Sequence, residues 1–318
     1  MKLVVTIPAY NEAKTIGAVI RDIPRKIEGV GSVEVLVVDD GSTEDTVMRA
    51  KEAGADHVVS HKKNEGLGFA FRDGLDAALR LGADIVVNID ADGQYDPRDI
   101  PALIEPLLNK RADIVLSWRD IDNLEFMPIG KKIGNKLATW LTRTVTGMPI
   151  KDAQSGFRAF SKEAALRTNL SGKYTYVQET IMQAKFKGLC IEQMPAKCRA
   201  RQDESRLIKS LLTYARRAGK VILTTYWHYH PLRIFSAIAA ILILAGGASG
   251  IEVLVHISRS GTLSPQAPLA IAALILIVTG IQALILGLFA ETIKTQRMFQ
   301  EEILYRLKRG ESNGNSGL

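Results

Sequence analysis

Up to residue 204 the chain alternates short apolar runs with stretches in which apolar positions recur at helical spacing. Leu3 to Ile7, Glu34 to Val38, His57 to Ser60, Asp84 to Ile89 and Ile114 to Ser117 have the length and β-branched content of strands, and another strand is predicted near Cys190 to Met194. The intervening patterns predict helices near Thr15 to Lys26, Glu44 to Glu52, Gly66 to Leu81, Pro97 to Leu108, Gly130 to Thr146 and Val177 to Lys187. Strands and helices in alternation make an α/β fold, a mostly parallel sheet with flanking helices. The carboxyl ends of its strands share one edge. Three of them run into polar residues: Pro8-Ala9-Tyr10-Asn11-Glu12, Asp39-Asp40-Gly41-Ser42 and Asp90-Ala91-Asp92-Gly93-Gln94. These are expected to converge on one cleft.

After residue 204 the pattern changes. Leu207, Leu211, Leu212, Ala215, Ala218, Ile222, Thr225 and Tyr229 follow helical spacing among Lys209, Arg216, Arg217 and Lys220, which predicts an amphipathic helix lying on a membrane. Ile234 to Ile251 and Ala267 to Ala290 then form uncharged apolar runs close to the roughly 20 residues that cross a bilayer as helix. The expected organisation is a domain over 1–204, a juxtamembrane helix over 205–231, a transmembrane hairpin over 232–292 with spans about 234–255 and 267–290, and a tail over 293–318. The polar end of that tail, Gly310 to Leu318, reads as disordered. Gly246, Gly247, Ala248 and Gly250 permit close helix packing, either within one chain or between copies in a homo-oligomer.

The formal net charge is +7, and its placement narrows the partners. Basic residues precede the first span and follow the second, whereas the loop Ser258 to Gln266 carries only Arg259. The positive-inside rule therefore puts the domain and both termini in the cytoplasm, with membrane lipids as partners. Nucleic acid is not needed to explain the charge. Leu3 to Ile7, closed by Pro8, is too short for the apolar core of a signal peptide. Cys190 and Cys198 match no zinc or redox spacing and read as structural.

Asp90 and Asp92 emerge from a buried strand, where carboxylates are costly unless a cation offsets the desolvation. A hard divalent cation with phosphate ligands does so. A D-x-D followed by glycine is also an ordinary polar turn, so its surroundings must decide. No G-x-G-x-x-G follows the first strand, which argues against a dinucleotide site of the Rossmann type.

Those surroundings carry a resemblance. Pro8-Ala9-Tyr10-Asn11-Glu12, Val37-Val38-Asp39-Asp40-Gly41-Ser42, Asn64-Glu65-Gly66, Asp90-Ala91-Asp92-Gly93-Gln94 and Ser155-Gly156-Phe157-Arg158 resemble, in order and spacing, the motifs of family-two inverting glycosyltransferases. The similarity is greatest to the polyprenyl-phosphate hexosyltransferases, of the dolichyl-phosphate mannose synthase and undecaprenyl-phosphate glucosyltransferase type. It implies a GT-A type, Rossmann-like domain. It further implies Mg²⁺ or Mn²⁺ at Asp90, Asp92 and Gln94, the donor against the backbone of Ala91, and a nucleoside pocket from Pro8, Tyr10, Glu12, Val37 and Asp39. Arg119 would reach the diphosphate or the sugar, its alternative being a salt bridge to Asp120 or Asp122. Arg199, Arg201 and Arg206 correspond to a basic loop over the phosphates. Asp92, Asp152, Glu179 and Arg119 are the catalytic candidates, Asp152 and Glu179 either as base or as groups orienting the acceptor, and Arg158 ties the Asp152 turn together.

The implied reaction moves one hexose, with inversion, from a nucleotide-diphosphate sugar of the GDP-mannose or UDP-glucose type to dolichyl or undecaprenyl phosphate. Processive relatives carry Q-x-x-R-W, which Gln202-Asp203-Glu204-Ser205-Arg206-Leu207 does not match, so a single transfer is expected. Two alternatives stand beside it: a family-two transferase acting on a lipid-linked saccharide or glycerolipid, and a non-catalytic nucleotide-sugar-binding membrane scaffold.

Overall fold

The computed structural model describes residues 1–170, 176–199, 227 and 230–314. They fall into two compact units, Met1–Leu223 together with Ile303–Leu318, and Thr224–Glu302.

The first unit is built on seven strands: β1 (Lys2–Ala9), β2 (Ser32–Asp39), β3 (His57–Ser60), β4 (Ile85–Asn88), β5 (Ile114–Trp118), β6 (Arg158–Ser161) and β7 (Ile191–Pro195). Their order in the sheet is β3-β2-β1-β4-β6-β5-β7. All neighbours are parallel except β6, which runs antiparallel to both β4 and β5. The helices are α1 (Ile16–Asp22), α2 (Thr46–Glu52), α3 (Leu67–Arg80), α4 (Ile100–Leu108), α5 (Ile129–Thr146), α6 (Lys162–Arg167) and α7 (Val177–Phe186).

Strand β1 shows why this sequence makes a two-faced layer. Leu3, Val5 and Ile7 join one core with Ile16 and Ile20 of α1 and Leu103 and Ile104 of α4. Val4 points the other way, into a core with Phe71 and Leu75 of α3, Leu166 of α6 and Ile181 of α7. A strand buried on both faces reads as a continuous apolar run rather than an alternation. Each such side chain contributes about 1.5–3 kcal/mol when fully buried.

Two elements escape the hydrophobic pattern. Strand β6 is only four residues long and begins at Arg158, which is fully buried. A buried arginine breaks the apolar signal, so β6 and the short α6 behind it are not visible in the sequence.

The edge that the sequence predicts is present. Beyond the strand ends, Asp40 N donates to Ala9 O (2.8 Å) and Ile89 N to Thr6 O (3.1 Å), so the polar ends of β1, β2 and β4 lie side by side. Asp40 ties the end of β2 to the segment ahead of α3. Its carboxylate accepts from Glu65 N (2.8 Å) and Gly66 N (2.9 Å) ahead of α3, and also meets His61 Nδ1 (2.8 Å). The other ring nitrogen of His61 lies 3.1 Å from Asp73 Oδ2 on α3. Gly41 permits this contact: its φ is +71°, and a Cβ there would stand 2.5 Å from the backbone of Lys63.

In the second unit, α8 (Pro231–Ser260) is followed by α9 (Ala267–Gly314), and both are long and apolar enough to cross a membrane. They pack against each other at glycines. A Cβ on Gly246 would lie 2.8 Å from Ala273 O, and one on Gly280 3.1 Å from Ala239 O. The small residue Gly246 is thus used within the chain.

Helix α9 runs on past residue 292 into the tail and through part of the stretch read as disordered, as far as Gly314. Ion pairs Lys294–Glu291 and Arg297–Glu301 support the helix past the apolar run. From Ile303 onward it belongs to the first unit, where Tyr305 Oη donates to Glu163 Oε2 (3.0 Å) and Lys308 Nζ pairs with Asp76 Oδ1 (2.7 Å). The juxtamembrane helix expected over 205–231 lies mostly outside the described residues.

Burial opposes a charge on His61, but its hydrogen bond to Asp40 and the charges of Asp40, Asp73 and Glu65 outweigh that and raise its pKa above 6.5. The folded state then favours the imidazolium. Its stabilisation is complete below about pH 6.5 and fades as pH rises through the raised value. Thermal unfolding of His61→Gln beside the wild type is therefore expected to show the largest loss of midpoint near about pH 6 and a shrinking difference toward alkaline pH. A gap that widened with pH would contradict this.

Candidate active site

The site is built around the end of β4. Asn88, fully buried, donates through Nδ2 to Gly156 O (2.9 Å) and Tyr176 Oη (2.9 Å), fastening β4 to the turn before β6 and to the start of α7. Asp90 follows, and Gly156 makes room for it. A Cβ at Gly156 would stand 2.5 Å from Asp90 Oδ2, so any side chain there displaces the carboxylate. Asp92 Oδ1 accepts from Gln94 N (3.0 Å), an Asx turn completed by Gly93 at φ +71°. Ala91 between the aspartates is buried.

The far side of this loop is also held. Gln94 O accepts from Arg199 N (2.8 Å), Tyr95 pairs with Cys198 in an isolated antiparallel bridge, and Arg199 reaches Asp96 (2.5 Å). Arg199 is therefore attached to the acidic loop. Arg201 and Arg206 lie outside the described residues. Tyr95 Oη meets Ser155 Oγ (3.0 Å), which in turn meets Ser117 Oγ at the end of β5. Burial raises the Tyr95 pKa, so it stays a neutral hydroxyl in this chain.

The nucleoside candidates separate into two groups. Asp39, buried, accepts from Ser42 N (3.2 Å), while Tyr10 and Glu12 lie half-buried on the loop after β1. Pro8 and Val37 are buried in their strands, and the Val37 side chain belongs to the core beneath α1. Asn11 joins the two loops: its N donates to Ser42 Oγ (2.9 Å) and its Oδ1 accepts from Thr43 N (2.7 Å), with φ at +55°. Neither Asn11 nor Asn88 was singled out from sequence. Asparagine tolerates the left-handed region and bonds to backbone, but only the paired loops show which backbone it meets.

Arg119 has a partner that the sequence did not suggest. Its Nε donates to Asp152 Oδ2 (2.7 Å) and Nη2 to Oδ1 (3.3 Å), a two-pronged pair, in place of Asp120 or Asp122. The Asp152 side chain is fully buried and also accepts from Gln154 N (2.8 Å). With its amide oriented to suit these neighbours, Asn135 of α5 donates to Asp152 Oδ1 (3.2 Å) and accepts from Arg119 Nη2 (3.0 Å). Arg158 ties the same turn from below, as expected, donating to Ala153 O and Ser155 O as well as to Val177 O on α7. Complete burial pushes its pKa down to about 10. Glu179 is buried in the first turn of α7 and accepts from Gln183 Nε2 (3.2 Å).

Beside Arg119 an open cleft of about 430 Å³ runs along α5, with Lys136, Arg143 and Lys151 and also Asp120 and Asp122 on its walls. Lys151 Nζ sits 4.2 Å above the Trp118 ring.

Among the described residues, no three His, Cys, Asp or Glu side chains are grouped to hold a metal ion by themselves. A cation shared with a phosphorylated ligand needs only one or two protein carboxylates, because its other oxygens come from phosphate and water. Asp90, Asp92 and Gln94 offer only oxygen donors of this hard kind besides the amide nitrogen of Gln94.

Several known proteins are similar to this chain. It is 35% identical over 212 residues to the UDP-N-acetylglucosamine--dolichyl-phosphate N-acetylglucosaminyltransferase of Methanococcus voltae, covering 60% of this chain and 83% of that protein. It is 29% identical over 205 residues to the polyprenol monophosphomannose synthase of Mycolicibacterium smegmatis, covering 61% and 76%. Among solved structures, glucosyl-3-phosphoglycerate synthase from Mycobacterium tuberculosis, in complex with Mn²⁺, UDP and glucosyl-3-phosphoglycerate, is similar with a TM-score of 0.57 and 27% identity over 70% of this chain and 79% of that one. Residues 4–167, just over half of the chain, match the family described as Glycosyl transferase family 2, and the chain belongs to that family of glycosyltransferases.

Proposed function

We propose that this glycosyltransferase moves a single hexose from a nucleotide-diphosphate sugar to a membrane polyprenyl phosphate, inverting the anomeric carbon. The observation that carries the reading is the pairing of an acidic loop, held at the end of β4 by Asn88 and Gly156, with a cleft that starts at Arg119 and in which Lys136, Arg143 and Lys151 outnumber Asp120 and Asp122. The relatives named for dolichyl phosphate and polyprenol support the acceptor class, and the two helices long enough to cross a membrane support its location.

Each part of the site then has a task. Tyr10, Glu12 and Asp39 bind the nucleoside, with Pro8 and Val37 setting the strand ends behind them. Asp90, Asp92 and Gln94 hold a divalent cation, Mg²⁺ or Mn²⁺. When bound, that cation offsets the charge of the diphosphate and eases its departure. The acceptor phosphate docks along the cleft, where Lys136, Arg143 and Lys151 lower its repulsion from the donor. One of its oxygens forms the new bond to the anomeric carbon, and the electron pair of the breaking bond leaves with the nucleoside diphosphate. The attacking oxygen is already anionic near neutral pH, so no proton has to be removed.

This reassigns Asp152. A fully buried carboxylate engaged by both prongs of Arg119 suits a group that aims the guanidinium better than a base. Glu179, hydrogen-bonded to Gln183 along α7, is assigned a supporting place on the same grounds. Arg201 and Arg206 extend the basic segment begun by Arg199. The basic residues flanking the spans support a cytoplasmic side for the domain and both termini.

The test is transfer of labelled sugar from a panel of nucleotide sugars to short polyprenyl phosphates, with Mg²⁺ or Mn²⁺ supplied. Product with lipid-linked saccharides and none with any polyprenyl phosphate would overturn the acceptor assignment. Asp92→Asn is expected to lower kcat by at least about 100-fold, and chelation to abolish turnover reversibly. Gly156→Ala should lower activity about 10- to 100-fold by pushing Asp90 aside, while leaving the protein folded. Binding of the sugar donor without turnover in the wild type would instead point to a scaffold.

A further inference from the structure

His61 is held in a way that only its cation satisfies. Its Nδ1 lies 2.8 Å from Asp40 Oδ1 and its Nε2 3.1 Å from Asp73 Oδ2, with 9% of the side chain exposed. A neutral imidazole has one N–H and one lone pair, so it can donate to one of these carboxylates and must turn the lone pair on the other. The imidazolium donates to both. Loss of one proton therefore breaks the clamp on one side, whichever tautomer forms.

The clamp adjoins the loops assigned to the nucleoside. His61 N donates to Asp39 O (2.8 Å), and the Asp40 carboxylate takes up Glu65 N (2.8 Å) and Gly66 N (2.9 Å) as well as the ring. Those two amides lead into α3, whose own N-cap, Gly66 at φ +108°, has no side chain to cap with. On the other side, Ser42 N donates to Asp39 Oδ1 (3.2 Å) and Ser42 Oγ accepts from Asn11 N (2.9 Å). A displacement of the segment from His61 to Gly66 thus passes to Asp39 directly, and through Ser42 and Asn11 to the loop that carries Tyr10 and Glu12.

The charges around the ring come from three places. Asp40 belongs to the turn after β2, Asp73 to α3, and Glu65 to the segment ahead of α3. Arg72 of α3 donates to the other oxygen of Asp73 (2.8 Å), and Lys62 and Lys63, which follow His61 in the chain, are exposed. Burial disfavours the charged ring, but the bond to Asp40 and the three carboxylates outweigh it and keep it protonated past the ordinary histidine range.

We infer that His61 is a positioning residue for the nucleotide-sugar donor: its cation, clamped between Asp40 and Asp73, fixes the segment from His61 to Gly66 against the loop after β2, and deprotonation releases that hold. The inference rests on Tyr10, Glu12 and Asp39 being the nucleoside site. Donor affinity is then full at low pH and declines as pH rises through the raised value.

The test measures binding of UDP-glucose, UDP-N-acetylglucosamine and GDP-mannose, with Mg²⁺, to the full chain in detergent by calorimetry across a pH series. The dissociation constant of the donor that binds is expected to rise about 10-fold between about pH 6 and pH 8.5. His61→Gln should bind it as weakly at the acid end as the wild type does at the alkaline end. Asp73→Asn supplies an amide that donates to Nε2 of a neutral ring, so affinity should stay within about twofold over the whole series. This variant also keeps the test open if His61→Gln fails to fold. A flat wild-type profile, or the same alkaline loss in Asp73→Asn, would overturn the inference and leave the nucleoside site standing. Failure of all three nucleotide sugars to bind at every pH would remove the nucleoside site and the inference together.

Discussion

The buried amide of Asn88 is the joint on which the site depends. One NH₂ group serves a backbone carbonyl of the turn at Gly156 and the hydroxyl of Tyr176, and it does so where no water competes. A buried donor left without partners costs about 1–3 kcal/mol, so this arrangement holds β4, the turn before β6 and the start of α7 in one relation to each other. Asp90 sits two residues beyond that joint and directly against Gly156. The acidic loop is thus positioned by contacts made between residues nearly 70 apart in sequence, not by the loop itself.

Further ties extend outward from it. Tyr95, Ser155 and Ser117 carry a line of hydroxyls from the acidic loop to the end of β5, and Arg158 gathers the carbonyls of the same turn. Buried polar networks of this kind add rigidity when their members are satisfied. Arg119 and Asp152 belong to the same region, with one charge compensating the other in a place that would be costly for either alone. The result is a tightly tethered acidic loop next to a cleft lined by Arg119, Lys136, Arg143 and Lys151 together with Asp120 and Asp122.

Around this centre, the two sides of α5 differ in kind. Its small, polar side allows close approach to the Asp152 turn, and its apolar side is left facing outward. An ordinary amphipathic helix cannot do both, because large side chains on the inner face would fill the space that Asn135 and Thr139 use. Thr139 Oγ1, for example, accepts from Ala153 N at 3.1 Å.

The sequence by itself determined the strand and helix alternation, the acidic strand ends on one edge, the family motifs and the two apolar helices, because each of these is a local property of periodicity, length or spacing. Strand β6 was not legible, since a buried arginine at its start hides a four-residue strand from any hydrophobic pattern. The helical end of α9 was hidden for a different reason: it is stabilised in part by Glu163 and Asp76, residues far away in sequence. Only tertiary structure decided that Arg119 answers Asp152, that His61 bridges Asp40 and Asp73, that Gly156 makes room for Asp90, and which way α5 faces. The spacing of apolar residues tells which side of a helix is apolar but not what lies beyond that side, and a charged side chain does not encode its partner. Both are settled only when distant segments come into contact.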